Sequence, residues 1–377
     1  MAKVILNKPS IKSWVLEDKG HYILGEKGVL DIDAKDVEGN GHGIFTGGGS
    51  GGPDGSIIDV LGRITVSLSN YVGIFAQDDD ITVRVAESGR VRADTGILIN
   101  AIGSRIENHG NIRGTDEGVQ YYKGLADLMN AEDGVIRGQI GVKLDGEGGT
   151  IVNRGKIIGE SHSVYDYSDE RLELTNAGHL GGDVMLAGGN DLFVNRGGTL
   201  DGVVKGGKGD DVFRILSGDI VVSELAGEGQ DLLQTKVSYN LAGGASIEIF
   251  AALGKANINL TGSDEKNQVI GNNGRNILSG LGGDDLISGR GGNDRLSGGD
   301  GIDTFNFVNG HGRDVITDFE QSIDRINFEH YDGVTSTEDL VMLQKGDNVL
   351  IKLLNGDQIV LLDQDGVNTD DFLFAVV

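Results

Sequence analysis

The stretch "GLGGDDLISGRGGNDRLSGGDGIDTF", residues 280–305, decides the fold: it repeats glycine, glycine, acid and an apolar residue every nine positions. Glycine is costly to order and rows of carboxylates repel, so neither builds an apolar core. Something other than apolar burial must reward the pattern. Cutting the chain at 262, 271, 280, 289 and 298 gives GSDEKNQVI, GNNGRNILS, GLGGDDLIS, GRGGNDRLS and GGDGIDTFN, five units in one register without insertion. The sixth position is Asn267, Asn276, Asp285, Asp294 and Asp303; the eighth is Val269, Leu278, Ile287, Leu296 and Phe305.

Such a unit reads as six loop residues followed by a three-residue strand, two units to a coil of 18 residues. Only the middle strand residue points inward, so the eighth positions form the whole core, which is thin. The loop reverses with its carbonyls aimed into the gap between coils, a conformation that needs positive φ and hence glycine. Carbonyls and carboxylates converge there, an environment suited to a hard cation with about six to eight oxygen ligands, calcium before magnesium. Zinc would want cysteine or clustered histidine, and the chain has no cysteine. Without metal, the facing carboxylates repel and the thin core cannot offset the entropy of so many glycines. Ion binding then becomes folding free energy.

Composition agrees with an elongated, turn-rich chain. Of 377 residues 64 are glycine and only 2 are proline, with no three-residue collagen period. Lys+Arg 32 against Asp+Glu 58 gives a net charge of −26, which argues against nucleic acid and anionic membrane as partners. The N-terminal "MAKVILNKPSIKSWVLEDKG" has no signal-peptide core, and no run approaches the roughly 18 apolar residues of a transmembrane segment.

A second, looser repeat runs from about residue 41 to 222. Its marker glycines, Gly89, Gly110, Gly134, Gly155, Gly178, Gly198 and Gly218, are 21, 24, 21, 23, 20 and 20 residues apart. Short β-branched pieces bounded by Gly or Asn read as strands too short to stand alone, and stacked coils of a parallel β-helix would bury them. Asn108, Asn153, Asn176 and Asn195 fit its corners, where amides can stack along the axis. Precursors of the nonapeptide turn occur in "AGGNDLF", "GGKGDDVF" and "AGEGQDLL", with Asp191, Asp211 and Asp231 spaced 20 apart.

The nonapeptide Gly-Gly-x-Gly-x-Asp-x-U-x, where U is a large apolar residue, resembles that of the RTX (repeats in toxin) family of secreted bacterial proteins. Residues 262–306 carry it, and 303–328 resemble the cap that follows such repeats. The resemblance implies several Ca2+ ions between loops one coil apart: 262–267 with 280–285, 271–276 with 289–294, and 280–285 with 298–303, with "GHGRD" (310–314) closing one more. Asp285, Asp294, Asp303 and Asp314 are the implied side-chain ligands, with Asp300, Asp211 and the loop glycines Gly280, Gly282, Gly289, Gly291 and Gly298 completing the metal-binding set. Asn267 and Asn276 carry less charge and imply weaker sites. The resemblance also implies export by type I secretion machinery without a cleaved N-terminal signal, to the exterior or cell surface. The terminal "NTDDFLFAVV" then reads as the export address, or as a capping strand.

These features predict an all-β chain: a right-handed parallel β-helix (41–235) continuing into a calcium-binding parallel β-roll (236–306) and a C-terminal capping and secretion domain (307–377). Residues 1–40 form an N-terminal cap or extension. Repeats of this kind accompany many activities and do not fix one. There is no His-Glu-x-x-His, and the seven histidines are scattered as surface or corner residues. A non-catalytic extracellular binding, adhesion or matrix protein is the favoured reading; a β-helix polysaccharide lyase or epimerase acting on acidic glycans is the alternative. Arg92, Arg113 and Arg137, each three residues after a marker glycine, form a possible glycan-contact stripe, or a solvated ladder balanced by Glu87, Glu107 and Glu132.

Overall fold

The computed structural model describes residues 2–6, 9–10, 14–16, 20–32, 42–46, 55–67, 69–241 and 245–375. The chain is an all-β parallel solenoid; its only helices among the described residues are two 3-10 turns, Thr337–Asp339 and Thr369–Asp371. Two compact units form, Met1–Asp211 with Gly218–Ser223, and Val212–Ser217 with Glu224–Val377.

In the first unit each coil adds one rung to two parallel faces. On one face Val83, Ile106, Leu128, Ile151, Leu174 and Phe193 stack in register, all buried. On the other, Val91, Ile112, Ile136, Ile157 and Leu180 do the same along strands that include Arg90–Asn100, Asn111–Lys123 and Val135–Leu144. Inward β-branched residues alternate with outward polar ones, the period-two pattern of a strand with one buried face. These long strands bend through register shifts, for example between Arg113 and Glu117. At the bend successive backbones nearly touch: a Cβ on Gly118 would lie 2.6 Å from Gly141 O. Described strands nearer the N-terminus join the same stack, Gly20–Leu24 pairing with Ala2–Leu6 and with Ile57–Val60.

Asparagines hold one corner of this unit. Asn108 Nδ2 donates to Asn130 Oδ1 (2.8 Å), Asn130 to Asn153 (2.8 Å), Asn153 to Asn176 (2.9 Å) and Asn176 to Asn195 (3.1 Å). A primary amide both donates and accepts, so a buried column of them satisfies itself rung by rung.

The second unit stacks Phe213, Leu233, Phe250, Val269, Ile287, Phe305, Ile326 and Phe372 on one face. Leu260, Leu278, Leu296, Ile316 and Leu361 stack on the other. All five eighth-position residues of the nonapeptides are fully buried, at 0% exposure. The chain then leaves strict repetition. Val341–Lys345, Asn348–Lys352 and Gln358–Leu361 form an antiparallel meander whose last strand pairs in parallel with Arg313–Ile316. Phe372–Leu373 lies beside Arg325–Asn327, and Phe328, Phe372 and Phe374 stack with centroids 6.1–6.3 Å apart, closing the end of the thin core. The final two residues of the expected export address lie outside the described residues.

Candidate metal centre

Each nonapeptide loop ends on its sixth residue, which turns back under its own first glycine. Asp285 Oδ1 accepts the Asn267 backbone N–H at 2.7 Å, and Asp303 Oδ1 accepts that of Asp285 at 2.9 Å. On the opposite edge Asp294 Oδ1 accepts from Asn276 and Asp314 Oδ1 from Asp294, both at 2.7 Å. One carboxylate oxygen thus ties neighbouring coils together. The other, Oδ2 of Asp285, Asp294 and Asp303, is buried and has no hydrogen-bond partner. A Cβ on Gly280, Gly289 or Gly298 would overlap that same Oδ2, so the first position admits only glycine.

Backbone carbonyls face the same gap. A Cβ on Gly299 would overlap Leu281 O, and one on Gly312 would overlap Gly292 O. Leu281 (φ 88°) and Arg290 (φ 63°) adopt the left-handed conformation that the motif assigns to glycine. Burial pushes the carboxyls of Asp285 and Asp294 up to about 7, with the charges of Asp303 and Asp314, respectively, adding to the effect; burial likewise raises Asp303. An orphaned Oδ2 is unsatisfied whether ionised or protonated, because it meets neither donor nor acceptor. A cation satisfies it. No three acidic or histidine side chains converge among the described residues. An ion here would take one or two carboxylates and complete its shell with carbonyls, as calcium does and zinc does not. Asp285, Asp294 and Asp303 with these loop carbonyls fit that requirement.

Other expected residues sit differently. Asn267 Oδ1 accepts from the Ser263 amide and its Nδ2 donates to Ile247 O; Asn276 likewise bridges the Asn272 amide and Ile258 O. Asn276 is satisfied by backbone alone, and Asn267 Oδ1 also accepts from the Ser263 hydroxyl at 3.3 Å. Asp314 gives its Oδ2 to His311 Nδ1 at 2.9 Å, a buried pair that ends the column of orphaned oxygens on its edge. Gly282 and Gly291 are half-buried, and Asp300 is exposed across from Gly282. In the first unit Asp211 Oδ1 accepts the Asp191 amide at 2.7 Å, the same ladder at a 20-residue spacing.

Sequence reasoning missed four acids. Asp324 Oδ1 takes the Asp303 amide at 3.0 Å; Asp318 takes the Gly298 amide; Glu248 takes the Asp231 amide; and Asp357 takes those of Gly310 and Gly312. Asp318 and Asp324 follow Asp314 in "DVITDFEQSID" by 4 and 10 residues, off the nine-residue period, so the register did not announce them.

Arg92, Arg113 and Arg137 stand in register on adjacent strands, all exposed. Arg63 and Arg90, outside the expected stripe, pair in the neighbouring column. Arg63, Arg90, Arg92 and Arg113 line a shallow cavity of about 340 Å3 with Asp31, Thr65 and Asn111. Glu107 does not balance this ladder; it pairs with Arg84 (3.0 Å) and Arg105 (2.9 Å), on the other face. Among the described residues no ion pair joins Arg63, Arg92, Arg113 or Arg137 to a carboxylate. The histidines are not all surface or corner residues: His311 is buried against Asp314, 1% exposed, while His162 sits half-buried in the strand Lys156–Asp166, its ring 4.4 Å from that of Tyr165.

Residues 270–305 match the RTX calcium-binding nonapeptide repeat, in four copies. Among solved structures the chain is similar to the AlgE6R3 subunit of the Azotobacter vinelandii mannuronan C5-epimerase, at 26% identity over 32% of this chain and 80% of that one, with a TM-score of 0.28. It is also similar to the extracellular lipase LipA of Serratia marcescens, at 17% identity over 67% of this chain and 44% of that one, with a TM-score of 0.23. No curated protein matches. No helix among the described residues is long and apolar enough to cross a membrane. The protein carries RTX calcium-binding repeats, set in a parallel β-solenoid.

Proposed function

We propose that the chain leaves the cell unfolded through type I secretion machinery, folds on extracellular calcium, and acts at the cell surface or in the matrix as a non-catalytic binder of acidic polysaccharide. The carrying observation is the cavity lined by Arg63, Arg90, Arg92 and Arg113 on a chain of net charge −26. Arg84 and Arg105, on the other face, are by contrast taken up by Glu107. Guanidinium forks in register, outnumbering the one acid of the lining, Asp31, match the carboxylates of a uronate polymer bidentately, and the excess acid elsewhere disfavours non-specific anion binding. Calcium-loaded protein should be retained on immobilised polyuronate and released by salt. Arg92→Ala with Arg113→Ala should abolish retention while leaving the calcium-induced fold intact. Unchanged retention in that variant overturns the binding site.

A second reading is favoured by one cluster. His162, held below its ordinary pKa chiefly by burial, is a neutral base beside Tyr165, and Lys143 stands in register with Tyr165. That set could abstract a proton α to a uronate carboxylate. Unsaturated or epimerised sugar products, lost on His162→Ala, would replace the binder with a lyase or epimerase.

A further inference from the structure

The cations of the arginine face are arranged rung by rung. Two outward columns run side by side across the parallel strands of the first unit. In one, Arg63, Arg90, Asn111, Val135, Lys156 and His179 are partners in register. In the other, two residues further along each strand, Thr65, Arg92, Arg113, Arg137 and Ile158 follow one another. Across the two columns, five successive rungs, those of Arg63, Arg90 with Arg92, Arg113, Arg137 and Lys156, each carry at least one exposed cation. Lys156, like Arg92 and Arg113, has no ion pair among the described residues. The run is bounded at both ends. Asp31 lies on the rung before Arg63, and on the rung after Lys156 the ring of His179 is taken by the Thr199 hydroxyl at 2.9 Å and lies 3.4 Å from Asp201. It is bounded at the sides as well: Glu87, Glu132 and Asp133 stand in the turns that lead into these strands, and Asp94 and Asp116 at the bend that follows.

Neighbouring rungs lie about 4.8 Å apart, close to the advance per sugar of an extended polysaccharide. A polymer with a carboxylate on every sugar can therefore meet a cation at each rung, whereas one with acid on alternate sugars leaves every second rung unmatched. A polyanion laid across the strands instead would run into the flanking acids within a few residues of the arginines, and like charges repel. Arg90 is held ready, its guanidinium donating to the carbonyls of Glu87 and Gly89 at 2.7 and 2.8 Å. We propose that the ligand is a contiguous block of homopolymeric uronate lying along the solenoid axis, one carboxylate to a rung over the five rungs from Arg63 to Lys156. The inference rests on the proposed binding of acidic polysaccharide and adds the direction of the polymer, its footprint and its charge spacing.

The test titrates the calcium-loaded full chain with size-defined oligogalacturonates, from dimer to octamer, by calorimetry. Affinity should climb with each added sugar to about the pentamer and then level off, since the row of cations ends there. Hyaluronan fragments, with acid on every second sugar, should bind more weakly than oligogalacturonates of the same total charge. Arg63→Ala and Lys156→Ala, at the two ends of the row, should each weaken the hexamer roughly two- to fivefold, the usual worth of one exposed charge pair, and leave the dimer, held by the central rungs, unchanged. A hexamer bound no more tightly than a dimer, hyaluronan fragments bound equally well, or a hexamer indifferent to both end variants overturns the axial arrangement while polyuronate binding itself stands. Tighter binding of a single-stranded oligonucleotide than of the octamer overturns the uronate assignment. A wild-type chain that neither binds these oligomers nor is retained on polyuronate overturns both this inference and the proposed function.

Discussion

Asp285 and Gly280 meet so closely that no side chain could stand at position 280: the glycine lies against the one carboxylate oxygen of Asp285 that has no hydrogen-bond partner. The other oxygen is committed to the Asn267 amide one coil away. A single side chain therefore does two jobs, stitching coils with one atom and offering the second to an ion.

Removing the charge separates those jobs. Asp285→Asn keeps an oxygen for the Asn267 amide and should weaken calcium-induced folding on the order of tenfold in midpoint, because ligand charge sets calcium affinity. In chelator it should be neutral or stabilising, since a repelling carboxylate is gone. Circular dichroism against free calcium reads both effects.

Gly280→Ala forces its Cβ onto Asp285 Oδ2. The calcium-loaded protein should lose about 1–3 kcal/mol, the usual range for overpacking, with a melting point in calcium that falls accordingly. Gly333→Ala is a weaker control, as nothing lies within 4 Å of a Cβ there, although its φ of 79° carries a backbone cost.

Acid should substitute for the ion. Asp285 and Asp294 have carboxyls raised to about 7 in the folded chain, above the roughly 3.9 of an unfolded aspartate. The folded state then holds more protons than the unfolded one between those values. In chelator the stability these groups contribute is fully present below about pH 4 and is lost as pH rises through about 7. In calcium the ion replaces the proton, so the calcium-dependent gain in melting temperature should grow across the same window. Melting curves at several pH values, with and without calcium, test the sign.

Asn267 already closes its rung with its own amide. Asn267→Asp removes the donor to Ile247 O and adds a charge facing Asp285. The variant should be less stable in chelator and more calcium-dependent, which a shift in the calcium midpoint would register.

Ile287→Ala removes a fully buried residue from a core one residue wide. A loss of about 2–5 kcal/mol is expected, near the upper end because rigid coils cannot collapse into the hole. Unlike the aspartate changes, it should lower the melting temperature in calcium without altering ion stoichiometry.

The core was legible wherever the period was strict. Val269, Ile287 and Phe305 fall at one sequence position and on one structural column because a three-residue strand has only one inward side chain. The asparagine corner was legible for a similar reason: one residue type recurs once per coil. Asp324 and Asp357 were not, because they reach the repeat loops only after insertions break the register. Asp357 arrives beside Gly312 across 45 residues and an antiparallel meander. Arg63 and Arg90 were missed because the repeat was aligned on its glycines, and the arginines belong to a strand column one step aside from the expected one.

The run Asn108 to Asn195 is a chain of groups that give and receive in turn, so it can be lengthened by another coil without any outside help. The aspartate run cannot, for every coil added brings a fresh debt of negative charge. The amount of ordered polypeptide in the repeat block should therefore track the calcium content of its surroundings.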